Sequence, residues 1–151
     1  MRLSRLTDYA VTLLTQIVRG GKDLWSAAEL AEKAGLPVPS TAKIMKLLAK
    51  SHIIIAYRGV NGGYRLARPA SDISIASVIE AVEGPIALTD CAEGGDQSCR
   101  IEALCPMSGN WDKVNNAVRT ALDTVSLAEM AVPRKYAQEV LQALESKSGA
   151  Q

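Results

Sequence analysis

Cys91, Cys99 and Cys105 are the only cysteines in the chain, and all three fall in one short polar stretch. Thiolates are soft ligands suited to iron–sulfur clusters or zinc, and clustering lets one centre engage all three. Seven residues separate the first pair and five the second, whereas structural zinc sites usually pair ligands about two to four residues apart. The single histidine, His52, lies far away in a basic half of the chain and is a poor ligand candidate. Neighbours such as Glu93, Gly94, Gly95, Asp96 and Gln97 do not resemble the surroundings of inert core thiols. The residues favour an iron–sulfur cluster and leave open zinc or a cluster-free thiol switch. No nucleophile–base pair or carboxylate dyad stands out, so an enzyme is not expected.

The net charge of +1 conceals an asymmetry. Residues 1–70 carry 11 Lys/Arg against 4 Asp/Glu, a balance of +7, and residues 71–151 carry 6 against 12, a balance of −6. A basic half favours a polyanionic partner and an acidic half does not. The split suggests a boundary near residue 70, with a basic domain over 1–70, a second segment over 71–132 and a tail over 133–151. Polar residues Asp8, Thr12, Thr15 and Gln16 break up any apolar core of an N-terminal signal, and no stretch has the length of a membrane span. With an odd number of cysteines, these features point to a cytoplasmic protein with reduced thiols and no membrane partner.

The elements that would position these groups are mainly helical, because phenylalanine is absent and Leu, Ile, Val and Ala must build the core. Leu6, Tyr9, Ala10, Leu13, Leu14 and Ile17 recur at helical spacing after Ser4, a plausible N-cap, and Gly20-Gly21 ends the pattern. Ser26-Ala27-Ala28-Glu29 fits a capping box for a short helix ended by Gly35. A third helix follows Pro37, with Ile44, Leu47 and Leu48 inward and Lys43, Lys46 and Lys50 outward. This order predicts a helix-turn-helix. Ile53–Arg58 and Tyr64–Ala67 then form two strand-like runs around Asn61-Gly62, a strong hairpin signal, and a hairpin after a recognition helix is the wing of a winged helix.

Double-stranded DNA is the polyanion such a module would bind. Ser40, Thr41 and Lys43 stand where a recognition helix meets base edges, and Lys46 suits a phosphate. On the wing, Arg58 and Arg65 can pair with phosphates or enter a minor groove, while Asn61, Gly62 and Gly63 allow close backbone approach. Further on, Ser74 can cap a helix ended by Gly84-Pro85, and Ser126-Leu127-Ala128-Glu129 is another capping box. Between them a longer helix carries one apolar stripe of Trp111, Val114, Val118, Ala121, Leu122 and Val125. Such a stripe needs a cover, most economically the same helix of a second subunit. The tail after Pro133 is expected to be helical to about Leu144.

Met1-Arg2-Leu3-Ser4 with Thr7-Asp8-Tyr9-Ala10, Arg58-Gly59-Val60-Asn61-Gly62-Gly63-Tyr64, and the three loop cysteines together resemble the IscR and NsrR regulators of the Rrf-two family. The resemblance covers about residues 1–130. Gly109-Asn110-Trp111 and Ser126 to Met130 look most like its branch controlling iron–sulfur assembly genes. It implies a winged helix-turn-helix with a long dimerisation helix, acting as a homodimeric repressor on a pseudo-palindromic operator. It also implies a 2Fe-2S or 4Fe-4S cluster held by Cys91, Cys99 and Cys105. Where IscR-type members carry a histidine three residues after the last cysteine, this chain has Ser108, a poor iron ligand. NsrR-like members use a carboxylate near the start of the first helix, given by the partner subunit, and Asp8 occupies the matching position. Asp8 also suits the dipole of its own helix without any metal. The rivals are a nitric oxide sensor with the same ligands and, in a different class, an iron–sulfur electron carrier or cluster-transfer protein with a basic face.

Overall fold

In a computed structural model, residues 2–101 and 104–133 are described, together with 139 and 142. The expected tail helix, those two residues apart, lies outside the described residues. Helix α1 spans Arg5–Gly20, α2 Ala27–Ala34 and α3 Val38–Lys50. Strands β1 (Ile54–Tyr57) and β2 (Gly63–Leu66) follow, then a single 3-10 turn at Ala70–Asp72. Helices α4 (Ile75–Glu83), α5 (Asn110–Asp123) and α6 (Leu127–Met130) complete the described chain.

The helix starts obey local chemistry. Each α-helix N-terminus leaves backbone N–H groups without an intrahelical partner, and a side-chain oxygen can accept from one of them. Ser4, Ser26, Ser74 and Ser126 do this for α1, α2, α4 and α6, and Glu29 and Glu129 complete two capping boxes. Helix α3 starts differently. Pro37 stands before it in extended conformation with no side-chain cap, and proline tolerates this place because it has no N–H to satisfy.

Strands β1 and β2 pair antiparallel, with Ile54 opposite Leu66 and Tyr57 opposite Gly63. Trp25, between α1 and α2, adds a third rung by exchanging two backbone hydrogen bonds with Tyr64 at 2.9 and 2.8 Å. That approach explains Gly63. A Cβ there would stand 2.9 Å from the Trp25 carbonyl oxygen, and at Gly62 2.2 Å from the Tyr57 oxygen. Both glycines therefore serve the hairpin itself, quite apart from any ligand.

Ala10, Leu13 and Leu14 of α1 are fully buried and pack with Leu30, Ile44, Met45, Leu48, Ile53 and Ile54. Ile73, Val78 and Leu127, from beyond residue 70, join that same cluster. Basic and acidic halves thus share one core. A smaller cluster of Ile75, Ala76, Ile79 and Ile86 lies against Leu122 and Val125 of the α5 end.

Helix α4 is also tied to α1 by a carboxylate. Glu83 accepts from the Ser4 backbone N–H at 2.9 Å and from the buried Thr7 hydroxyl. These bonds, led by the Thr7 hydroxyl, hold its pKa below the ordinary 4.5. A carboxylate with a depressed native pKa contributes stability that is present above its unfolded pKa and lost as pH falls toward the native value. Glu29, bonded to Lys22 and Ser26 and lowered to about 2, acts with the same sign. Glu83→Gln is therefore expected to be less stable than the parent above pH 5. Denaturant titrations should show the gap closing as pH drops below 4.5, and a gap that persists unchanged at pH 3 would contradict the assignment.

Candidate nucleic-acid interface and metal centre

The exposed face of α3 carries Lys43, Lys46 and Lys50, and no acidic residue stands in its first turn. Ser40 is half-buried in that turn and Val38 is exposed. In the hairpin, residues alternate across the sheet: Ile54 faces the core while Ile55, Tyr57 and Arg65 share the outer face. The Arg65 guanidinium lies 5.1 Å from the centre of the Tyr57 ring, within cation–π range. Arg58 and Asn61 are exposed, and between them Val60 projects fully into solvent. Among the described residues the only ion pairs are Lys22–Glu29 and Arg119–Glu80. The cations of α3 and the hairpin are thus not neutralised by described carboxylates, and they suit a polyanion.

Thr41 requires a correction. Expected at base edges, it is fully buried, and its hydroxyl oxygen has no hydrogen-bond partner. The reason is helical phase: Thr41 precedes Ile44 by three positions and Leu48 by seven, which places it on the core stripe. Gly62 and Gly63, expected to let a ligand approach, are packed against their own hairpin and Trp25.

The cysteine segment runs from Gly84 to Gly109. Its first part is tightly organised: the Ala92 amide donates to the Thr89 carbonyl, Gly95 to Ala92, and Gln97 to Asp90. Gly95 has no room for a Cβ, which would lie 2.5 Å from the Asp90 oxygen. Two α5 side chains grip this part. Asn115 accepts from the Leu88 amide at 3.0 Å and donates to the carbonyls of Ile86 at 2.9 Å and Glu93 at 3.3 Å. Asp112 accepts from the Glu93 amide at 2.8 Å. The sequence reasoning missed Asn115, although a polar residue inside the α5 stripe, four positions after Trp111, was the available signal.

All three cysteines are free and partly accessible, and the Thr89 hydroxyl lies 3.4 Å from the Cys91 sulfur. Asp8 is exposed in the first turn of α1, on the wall of a groove of about 780 Å³ with Leu3, Val11, Ile79 and Met130. Among the described residues, no three His, Cys, Asp or Glu side chains stand together as a metal site. Within one chain, then, Cys91, Cys99, Cys105 and Asp8 are not gathered. By donor chemistry the thiols do fit an iron–sulfur centre, being soft, unpaired and reachable.

A family model described as Rrf2, an iron-dependent transcriptional regulator, matches residues 3–133. The chain belongs to the Rrf2 family of transcriptional regulators. It is similar to the HTH-type transcriptional regulator NsrR of Oceanobacillus iheyensis, 29% identical over 131 residues covering 86% of this chain and 89% of the relative. The fold matches a solved structure of T. potens IscR with a TM-score of 0.62 at 25% identity, covering 86% of this chain and 85% of that one. CymR, the global cysteine regulator of B. subtilis, shares the fold with a TM-score of 0.65 at 21% identity, covering 87% and 96%. The mainly helical chain with its small antiparallel wing is therefore a winged-helix regulator of this kind and not an enzyme. Among the described residues no helix is long and apolar enough to cross a membrane.

Three variants separate interface residues from the core. Arg58→Ala or Arg65→Ala should weaken DNA binding across sequences and reduce the salt slope by about 1 each. Thr41→Val, which replaces an unpartnered buried hydroxyl by a methyl, should raise stability by about 1 kcal/mol and leave sequence preference alone. Fluorescence anisotropy over a salt series and thermal melts check both; an altered base preference in Thr41→Val would return that residue to the interface.

Proposed function

We propose that this chain is a homodimeric repressor whose grip on a pseudo-palindromic DNA operator depends on an iron–sulfur cluster, and that it controls iron–sulfur assembly genes. The carrying observation is one loop with three free, accessible thiols, gripped by α5 of a DNA-binding regulator. Cys91, Cys99 and Cys105 are the cluster ligands in this reading, with the partner subunit's Asp8 as a fourth. When bound, the cluster supplies a labile centre that responds to iron supply and oxidants. Ser40, Lys43 and Lys46 of α3 and Arg58, Asn61 and Arg65 of the wing face the duplex in this reading, with Gly62 and Gly63 shaping the hairpin that carries them.

The outer side of α5 supports the dimer. Trp111 is 38% and Val114 45% exposed, and Ala121 is exposed too. Leu3 and Met130, at the groove beside Asp8, are likewise open. A second copy offers apolar surface to both. Residues 91–105 rearrange between loaded and empty states, α5 shifts with them, and the spacing of the two α3 helices changes. Linkage makes the coupling reciprocal: operator DNA must also alter cluster retention.

Protein purified without oxygen should be brown, with iron and sulfide bound, and each Cys→Ala substitution should abolish the colour. Colourless protein holding stoichiometric zinc would overturn the cofactor, and binding without operator preference would point to a cluster carrier instead. Asp8→Ala should leave folding and dimerisation intact but make the cluster labile, since a carboxylate is the hardest ligand of the set. A carboxylate serving only the helix dipole contributes at most about 1 kcal/mol of stability and would leave the visible spectrum unchanged. Val114→Asp should yield monomers by light scattering.

A further inference from the structure

Asn115 is the only buried residue of α5, at 2% exposure, on a helix whose other side chains are half-buried or exposed. Its amide makes three hydrogen bonds, and all go to backbone groups of residues 86–93 rather than to its own helix. An asparagine amide can both donate and accept, so it can grip an amide and two carbonyls of an irregular segment at once. No apolar residue could replace those bonds. Asp112, one turn earlier, takes a fourth backbone group of the same segment. Cys91 lies inside this gripped stretch, while Cys99 and Cys105 lie beyond it. Val114, the neighbour of Asn115, belongs to the exposed side of the helix.

We propose that Asn115 is a positioning residue that locks the Cys91 segment to α5, so that a change in this segment moves the exposed side of α5 with it. The second half of this statement rests on the regulator reading above; the first does not. Asp112 is the auxiliary of the lock, holding only the Glu93 amide.

The full chain, reduced and metal-free, is treated with iodoacetamide, and alkylation at each cysteine is followed by site-resolved tandem mass spectrometry. Asn115→Leu keeps the branching at Cγ, with a somewhat bulkier side chain, and removes all three bonds; it should speed alkylation of Cys91 by roughly tenfold relative to Cys99 and Cys105. Asp112→Ala, at a half-buried position outside the core clusters, should give a smaller acceleration at Cys91, and Asp112→Asn, which keeps the accepting oxygen, should restore the parent rate. Equal acceleration at all three thiols, or none at Cys91 in either variant, overturns the lock.

The second arm compares operator affinity of loaded and metal-free protein. A parent ratio of about fivefold or more that falls toward one in Asn115→Leu, with Cys91 selectively exposed, supports transmission through Asn115. A ratio preserved in that variant overturns it. A parent ratio of one removes the cluster-dependent reading, and with it the transmission, while selective alkylation at Cys91 upholds the lock by itself.

Discussion

The packing of most of the helices in this structure is referred to one of them. Helix α1 packs against α2, α3, α4 and α6, and Ala10, Leu13 and Leu14 along its inner face are fully buried. Each such leucine contributes about 1.5–3 kcal/mol through burial. The small side chain of Ala10 lets a neighbour come close. Because α1 touches both the basic helices before residue 70 and the acidic ones after it, two segments of opposite charge fold as one body. The orientation of α3 is thereby fixed relative to α4, and through α4 to the root of the cysteine segment.

That segment is bracketed by two polar links. At its root, Glu83 binds the first turn of α1 through Ser4 and Thr7. Along its first part, Asn115 and Asp112 bind it to α5. Each buried group that loses its partner costs about 1–3 kcal/mol, so the Asn115 cluster opposes displacement of residues 86–93 strongly. Farther on, bonding among the described residues is local: Ser98 to Asp96, Leu104 to Ile101, Ser108 to Cys105. The segment is therefore graded, with Cys91 held and Cys99 in a stretch with few restraints.

Much of the fold was legible because it is written in local chemistry. The caps Ser4, Ser26, Ser74 and Ser126 and the Asn61-Gly62 turn each act within a few residues, and the structure has all of them where the residue types put them. The inward turn of Thr41 was legible in principle, since it shares the register of Ile44 and Leu48, but a threonine near a helix start also suits a polar surface. What could not be read is non-local. The pairing of Trp25 with Tyr64, the clamp of Glu83 on Thr7 and the grip of Asn115 on Ile86, Leu88 and Glu93 join residues 22 or more apart in the chain. The proposed ligand set lies at the same limit: the cysteines suggest a centre by type and number, yet among the described residues one chain does not gather them.

The apolar stripe of α5 was expected as one surface, and its division shows how the helix can serve two masters. At about 100° per residue, Asn115 and Leu122 fall on one edge of the stripe, and Val114 and Ala121 lie about 100° round from them on the other. The first edge is inside its own subunit, with Asn115 buried and Leu122 against the α4 cluster. The second is open to solvent. A rigid helix cannot turn one edge without turning the other, so a small rotation forced on Asn115 by the cysteine segment redirects Val114 and Ala121 by the same angle. No chain of intermediate contacts is needed for that, because Asn115 and Val114 are adjacent on one hydrogen-bonded helix. The side chain that holds residues 86–93 and the open apolar side chains thus lie on different edges of one helix, seated by the packing of Leu122, and of Val125 just beyond the helix, against Ile75, Ile79 and Ile86.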